Sequence, residues 1–201
     1  VNKLINAYVD RENSYRDPVL AHIDENVFIK EFQYIETADQ LKCWNDIKND
    51  LNSSMPMDRL ICGDVGFGKT ELAIRTAYRY VSNSKKVIVL APTTILSEQL
   101  FQSFKNRMNN HGIIIDRISR LRTKKEVDAI KFSWANNQLD IVIGTHALLY
   151  NKIYLTSCDL LIIDEEHRFG VRQKERIKEL NPSIDILTMS ATPIPRTLNM
   201  A

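Results

Sequence analysis

Hydrophobic positions after Arg59 fall into short apolar runs that alternate with longer amphipathic stretches. The short runs are rich in β-branched residues, as strands buried on both faces are. The longer stretches repeat apolar residues at three- and four-residue spacings, which is typical of helices. This alternation predicts an α/β fold with a mostly parallel sheet flanked by helices on both faces. The predicted strands are 60–63, 86–91, 113–118, 141–144, 160–164 and 186–190, and the predicted helices are 39–51, 69–81, 94–109, 124–137 and 168–179.

The first 30 residues follow a different pattern, polar and mixed, with a helical stretch over 3–11 and a break at Asp17-Pro18. A chain of 201 residues suits one core of about 150 residues with an appendage. We therefore predict a lead-in or linker helix region over 1–30 and a single domain over 31–201. Because the chain begins with Val1 rather than Met, we also expect it to be part of a longer protein.

Composition indicates where the protein is found more clearly than what it does. The 27 Lys and Arg residues nearly balance 25 Asp and Glu residues, so bulk charge favours neither nucleic acid nor a membrane surface as partner. The chain has no apolar run of the roughly 18 residues that a membrane-spanning helix needs. Three widely spaced cysteines argue against a zinc site and a disulfide framework. We expect a cytoplasmic protein without membrane contact.

A glycine-rich turn follows the first predicted strand and opens a predicted helix. Residues 63–70 match GxxxxGK[ST] in full, with Gly63, Gly66, Phe67 and Gly68 in the loop, Lys69 in the Lys position and Thr70 after it. Glycines let successive backbone N–H groups face phosphate oxygens, and the helix N-terminus adds partial positive charge. Lys69 would reach the β and γ phosphates, and Thr70 would offer its hydroxyl to Mg²⁺. The motif predicts a nucleotide site, although kinases and GTPases share this loop.

Acidic residues end the fifth predicted strand, directly after the apolar residues 160–163. A buried run that ends in adjacent carboxylates needs a cation. Asp164 is placed to hold Mg²⁺, through water, while Glu165 can orient and deprotonate an attacking water. A solvated acidic strand end would explain this pattern alone. The P-loop upstream favours the catalytic interpretation.

Five segments in chain order resemble motifs I, Ia, Ib, II and III of superfamily 2 helicases. They are GDVGFGKTE (63–71), APTTILSEQ (91–99), GTH (144–146), DEEH (164–167) and SAT (190–192). The resemblance covers roughly residues 32–201 and implies a RecA-like P-loop NTPase fold with ATP and Mg²⁺ as cofactors. It implies the first motor lobe of a double-stranded DNA translocase, which works with a second RecA-like lobe of the same parent chain.

Two longer segments of the chain resemble one branch of the superfamily 2 helicases in particular. DEEHRFGVRQKERIKEL and ATPIPRTLNMA are similar to the transcription-repair coupling factors, which displace stalled RNA polymerase from DNA during repair. RecG-like branched-DNA helicases are the alternative, because they share GDVG, GTH, HRFGV and ATPIPRTL. Three features favour the coupling factors: the segment 67–71 (FGKTE) in place of a serine-containing loop, Glu166 in place of glutamine, and the run Ile118-Ser119-Arg120 after the third strand.

The resemblance also implies an adenine-recognition segment over residues 32–40. Gln40 would pair with the base edge, since a carboxamide presents a donor and an acceptor together as adenine does. Phe32 or Tyr34 would stack on the base. A glutamine at a helix start is otherwise an ordinary surface residue.

His167, Ser190 and Thr192 would, by the same resemblance, form a layer that couples nucleotide state to DNA. Each alone is explained as a buried polar residue satisfied by its neighbours. Their joint occurrence in DEEH and SAT favours the coupling role.

Candidate DNA contacts come from the remaining strand ends. Thr93 and Thr145 each follow an apolar strand, where hydroxyls and helix-start amides can bind phosphates without reading bases. Arg120 would add positive charge along the backbone, with Arg122 nearby. Helix capping is the alternative role for Thr93. We predict Thr93, Thr145 and Arg120 as sequence-independent phosphate contacts.

The P-loop is compatible with three function classes, which are a DNA motor lobe, a P-loop kinase or GTPase, and a non-catalytic interaction fragment. A GTPase would be expected to carry an NKxD-type guanine element, which the sequence lacks, and a kinase has no need of SAT or GTH. A non-catalytic interaction fragment is the third possibility. An arginine from a second lobe would contribute about 10³ to 10⁵ in rate. We therefore expect residues 1–201 alone to bind Mg-ATP weakly and to hydrolyse it slowly.

Overall fold

A computed structural model describes residues 11, 13–64, 66–120, 122–165 and 171–191, apart from the side chains of Lys152 and of residues 171–175. Within this part of the chain, six strands form one sheet in the order β1-β6-β5-β2-β4-β3, and every pair is parallel. The strands are β1 (Asp58–Cys62), β2 (Val87–Ala91), β3 (Ile115–Ile118), β4 (Ile141–Thr145), β5 (Leu160–Asp164) and β6 (Asp185–Ser190).

Seven α-helices accompany the sheet in the described residues. They are α1 (Glu25–Lys30), α2 (Ala38–Asn52), α3 (Lys69–Ser82), α4 (Thr94–Met108), α5 (Lys124–Ala135), α6 (Lys152–Thr156) and α7 (Val171–Leu180), with 3-10 segments at Asn109–His111 and His146–Tyr150. None of these helices combines the length and the apolar character needed to cross a membrane.

Alternate residues of the central strands enter two separate cores. On one face, the side chains of Val87, Val89 and Ala91 pack with helices α2, α3 and α4. On the other, Ile88 and Leu90 pack with helices α5, α6 and α7. Because successive side chains of a strand point to opposite faces, a continuously apolar strand supplies both cores at once. The prediction of helices on both faces is confirmed.

Element boundaries differ slightly from the sequence prediction. Strand β1 begins at Asp58 rather than residue 60, since Ile186 N–H already donates to the carbonyl of Met57. Strand β3 begins at Ile115 rather than residue 113, because Ile114 bonds to Asp140 in the loop before β4. Helix α7 starts at Val171, and the predicted residues 168–170 lie outside the described part of the chain.

The segment predicted as a lead-in packs against the domain over its described residues. Val19 and Phe28 are fully buried in the first core. The guanidinium of Arg11 donates to the carbonyls of Met57 and Ile184 at 2.9 and 3.0 Å, at the amino ends of β1 and β6. The sequence did not reveal this packing, because isolated apolar residues in a polar segment carry no periodic pattern. The boundary at residue 30 stays a prediction.

Candidate functional site

Three of the predicted motifs lie side by side at the carboxyl edge of the sheet. Strand β6 lies between β1 and β5, and its register pairs Cys62 with Ser190 and Asp164 with Met189. The N–H of Gly63 donates to the carbonyl of Ser190 at 3.2 Å. The start of the P-loop, the acidic strand end and the serine of SAT therefore share one corner of the sheet, where ligands of open α/β folds bind.

The P-loop turns sharply through two glycines in the left-handed region. Gly66 has φ of 88°, and Gly68 has φ of 81° where it caps helix α3. A β-carbon at Gly63 would come within 2.8 Å of the Phe67 ring, so the loop also needs a glycine at its start. Since Gly68 has no side chain to cap α3, the cap does not compete with phosphate oxygens for the N–H groups at the start of the helix.

Lys69 lies within this loop and close to the acidic strand end. Its ammonium donates to the carbonyls of Gly63 and Asp64 at 2.6 and 2.9 Å. Burial raises the pKa of Asp164, and the charge of Glu165 raises it further, whereas the charge of Lys69 opposes the rise. The carboxylate of Asp164 is partly buried and has one ammonium group, that of Lys69, nearby, so it can also bind a second cation. The oxygen donors of Asp164 and Thr70 fit the hard-ligand preference of Mg²⁺.

Glu165 is in the left-handed region, with φ of 56°. A non-glycine residue pays about 1–2 kcal/mol for this conformation. Strain of this kind is concentrated at functional sites, where the surrounding structure enforces it. The strained backbone directly after β5 supports the assignment of Glu165 as a functional residue.

A cavity of about 1070 Å³ opens beside the P-loop. Its lining includes Phe32, Tyr34 and Gln40 from the predicted adenine segment, together with Gly68 and Thr70. The structure thus brings the predicted base-binding and phosphate-binding residues to one cavity.

Gln40 already contacts the P-loop. Its carboxamide N–H₂ donates to the carbonyl of Phe67, and its carboxamide oxygen accepts the N–H of Thr37 at 2.8 Å. Thr37 in turn caps helix α2 by accepting the N–H of Gln40 at 3.2 Å. Gln40 lies at the border of base and phosphate subsites, and its bond to adenine stays a prediction.

A buried ion-pair network beneath the cavity was missed from the sequence. Glu71, which follows the P-loop threonine, accepts from Arg75 at 2.8 Å and from Arg107 at 3.1 Å. Arg75 also bonds Glu36 of the adenine segment at 2.5 Å. The sequence did carry one sign of the network, because charged residues recur every four positions, at 71, 75 and 79, on a helix that has many apolar residues. Its partners on other elements could not be found by spacing.

The predicted DNA contacts lie at the carboxyl ends of the other three strands, β2, β4 and β3. Ala91 pairs with Thr145, which places the loops after β2 and β4 next to each other. Thr93 caps α4 by accepting the N–H of Leu96 at 3.2 Å. Arg120 is exposed, whereas Arg122 is ion-paired with Asp116 and Glu126. Thr93 and Arg120 thus follow β2 and β3, and Thr145 ends β4, which lies between them.

Part of the predicted coupling layer lies outside the described residues. His167 and Thr192 are in that part of the chain, as is Glu166. Ser190 is described and is buried at the end of β6. The coupling role of these residues stays a prediction.

Comparison with known proteins gives a consistent set of relatives. The chain is 46% identical over 200 residues to a transcription-repair-coupling factor of Buchnera aphidicola, with 99% of this chain and 25% of that protein aligned. It is 50% identical over 175 residues to that of Escherichia coli, with 87% of this chain and 15% of that protein aligned. A solved structure of RecG bound to a three-way DNA junction has a TM-score of 0.80 at 32% identity, covering 99% of this chain and 27% of that one.

These similarities confirm the predicted RecA-like α/β fold and the resemblance to coupling factors. The chain spans a quarter or less of the length of these two curated relatives. Residues 37–201 match the DEAD/DEAH box helicase family, a match that extends over most of the chain. By this match, the chain belongs to the DEAD/DEAH box helicase family.

Proposed function

We propose that this chain is the ATP-binding first motor lobe of a double-stranded DNA translocase of the coupling-factor type. The observation that carries the proposal is the meeting of Lys69 and Asp164 beside a P-loop at one corner of the sheet. A phosphate cradle and a partly buried acid in this arrangement serve nucleoside triphosphate hydrolysis. The identities of 46% and 50% to coupling factors favour that branch.

The residues at this corner of the sheet have different roles in binding and hydrolysing the nucleotide. Lys69 and the first-turn N–H groups of α3 hold the phosphates and offset their negative charge. Glu165 takes the proton from the attacking water. Phe32 stacks on adenine, while Gln40 contacts the base edge and the P-loop. This arrangement uses positioning and electrostatics rather than a covalent intermediate.

Mg²⁺ would be held by Thr70 and, through water, by Asp164. When bound, the ion neutralises charge that develops on the β and γ phosphates. The side chain of Thr70 lines the cavity next to the glycines of the loop. Both protein groups are neutral or anionic oxygen donors, as the ion requires.

The second half of the sheet edge would face duplex DNA. A translocase steps over any sequence, so contacts to the backbone suit its task better than contacts to bases. Thr93, Thr145 and Arg120 offer hydroxyls and one positive charge. Ser190 with His167 and Thr192 would relay nucleotide state between the halves. A second RecA-like lobe and, through the parent protein, RNA polymerase complete the proposed partners.

A RecG-like branched-DNA helicase is the second candidate, because the RecG structure superposes on 99% of this chain. The two candidates differ in what the parent protein does. A coupling factor displaces RNA polymerase stalled on a linear template, whereas a RecG-like helicase acts on a branched junction. Displacement of stalled polymerase by the parent chain supports the first candidate, and activity on junctions alone supports the second.

Lys69→Ala tests the nucleotide site. We expect the affinity of the chain for Mg-ATP to fall about tenfold or more, because a charge-assisted bond to phosphate is lost. Calorimetric titration of the 201-residue chain measures this, with Lys85→Ala as control, since Lys85 pairs with Asp159 at the amino edge of the sheet. If wild-type chain binds no Mg-ATP, or if both variants bind equally well, the non-catalytic interpretation is correct. Turnover by the chain alone is expected to be slow.

A further inference from the structure

We propose that Arg75 is a positioning residue that fixes the base-binding segment on the P-loop helix and thereby sets the preference for adenine nucleotides. The inference rests on the proposed ATP-binding function, and it goes beyond the residues that touch the nucleotide. Arg75 lies on α3, five residues after Thr70, and its side chain is 1% exposed. It therefore acts through its neighbours.

Three contacts join Arg75 to both parts of the nucleotide site. Its Nε donates to Glu71, next to the P-loop, at 2.8 Å. Its Nη1 donates to Glu36 at 2.5 Å. Its Cζ lies 5.3 Å from the centroid of the Phe32 ring, within cation–π range. One guanidinium thus binds the helix that carries the phosphate loop and the segment that carries the base-stacking ring.

The contact with Glu36 extends to Gln40. Glu36 immediately precedes Thr37, the residue that caps α2 and bonds both the N–H and the carboxamide of Gln40. Holding Glu36 therefore holds the start of the helix from which Gln40 reaches Phe67. Both residues predicted to recognise adenine depend on the position of this short segment. Arg75 fixes that segment relative to the phosphates.

Glu71 is anchored from a second side. Arg107 of α4 donates to Glu71 and to the carbonyl of Phe28, at 3.1 and 2.5 Å. Removal of Arg75 therefore leaves Glu71 paired, and the main loss falls on Glu36 and Phe32. The base segment would then be free to move without collapse of the P-loop helix.

The same helix supplies a matched control. Arg79 lies one turn further on, is equally buried, and bonds Glu25 with two nitrogens at 2.5 and 2.8 Å. Its Cζ lies 5.6 Å from the Trp44 ring. Arg79 therefore has the same burial, an acidic partner and an aromatic partner, but Glu25 and Trp44 are not among the residues that line the cavity. A purely structural arginine should behave like Arg79.

The experiment compares Arg75→Met and Arg79→Met in the 201-residue chain. Kd values for Mg-ATP, Mg-GTP and inorganic tripolyphosphate follow from the shift of the thermal unfolding midpoint with ligand concentration. For Arg75→Met we expect ATP affinity to fall about tenfold, the size of one base–aromatic contact. Tripolyphosphate affinity should stay within about twofold, and the preference for ATP over GTP should shrink. Arg79→Met should leave all three Kd values unchanged, whatever its effect on the midpoint.

Three outcomes decide the inference. An equal loss of ATP and tripolyphosphate affinity in Arg75→Met, or no loss of either, overturns it. A similar loss of ATP preference in Arg79→Met also overturns it, because any buried arginine would then suffice. Failure of wild-type chain to bind ATP or tripolyphosphate overturns the proposed function itself. If Arg75→Met does not fold, Glu36→Gln removes the charge of its partner at a side chain that is 22% exposed, and the same changes in selectivity are expected.

Discussion

At the scale of single residues, the proposed role of Asp164 in holding Mg²⁺ conflicts with the stability of the ligand-free chain. Burial and the neighbouring charge of Glu165 raise the pKa of Asp164, so ionising this carboxyl group costs more free energy in the folded chain than in the unfolded one. We expect Asp164→Asn to abolish the dependence of ATP binding on Mg²⁺ and to raise the unfolding midpoint of the ligand-free chain at pH 7 by a few degrees. Thermal unfolding and Mg²⁺ titration measure the two effects.

The sign of the pH dependence follows from the raised pKa. Above the native pKa, the folded chain carries the full cost of the charge. The advantage of Asp164→Asn should therefore shrink as pH falls through that pKa toward the ordinary aspartate value of about 3.9. Asp128→Asn, at an exposed carboxylate on α5, should give no such gain. If the thermal unfolding midpoint of Asp164→Asn at pH 7 is lower than that of the wild-type chain, the charge of Asp164 does not destabilise the ligand-free fold.

At the scale of elements, the cap of α4 and the predicted DNA contact fall on one residue. Thr93 accepts the N–H of Leu96, and an aspartate at a helix N-cap can accept the same bond. We expect Thr93→Asp to keep the unfolding free energy within about 0.5 kcal/mol. If Thr93 also contacts phosphate, the new negative charge should weaken duplex DNA binding about threefold or more at low salt. Fluorescence anisotropy with a labelled duplex measures the affinity.

Thr37→Asp provides the matched comparison, because Thr37 caps α2 in the same way but borders the nucleotide cavity. It should leave DNA affinity unchanged. If Thr93→Asp and Thr37→Asp bind duplex DNA with equal affinity, Thr93 acts only as the cap of α4.

At the scale of the whole molecule, the segment before α1 connects to the edge of the sheet opposite the nucleotide corner. Arg11 donates to the carbonyls of Met57, Pro182 and Ile184, and it is 7% exposed. We expect Arg11→Met to lower the free energy of unfolding by about 2 kcal/mol, because buried acceptors lose a charged donor. Urea unfolding measures this, and Mg-ATP affinity should not change.

Lys131→Met is the control for Arg11, since Lys131 is half-buried and forms an ion pair with Asp128 on the same helix, α5. It should alter stability by less than about 0.5 kcal/mol. If Arg11→Met is equally silent, the hydrogen bonds of Arg11 do not contribute to the stability of the domain.

Local patterns predicted most of the elements and the chemistry of the nucleotide site. The four central strands are buried on both faces and must be largely apolar, and the edge strands β1 and β3 still carry short apolar runs. All six strands were predicted to within two residues at each end. The P-loop motif fixes Gly63 and Gly68 by their spacing from Lys69, and Gly68 has the positive φ that favours glycine, so both are recognisable without a structure. The short helix α1 was missed, since six residues give too little periodicity to separate a helix from a loop.

The order of the strands, by contrast, was decided only in the tertiary structure. Along the chain, the predicted DNA contacts lie between the P-loop and the acidic motif, but the sheet order puts β1, β6 and β5 on one side and β2, β4 and β3 on the other. The position of Arg75 against Phe32 and Glu36 was decided in the same way. By itself, the sequence determined the elements and the P-loop glycines and lysine that we propose bind phosphate, because both depend on neighbours along the chain. Strand order and buried ion pairs depend on packing between distant segments, which no local pattern records.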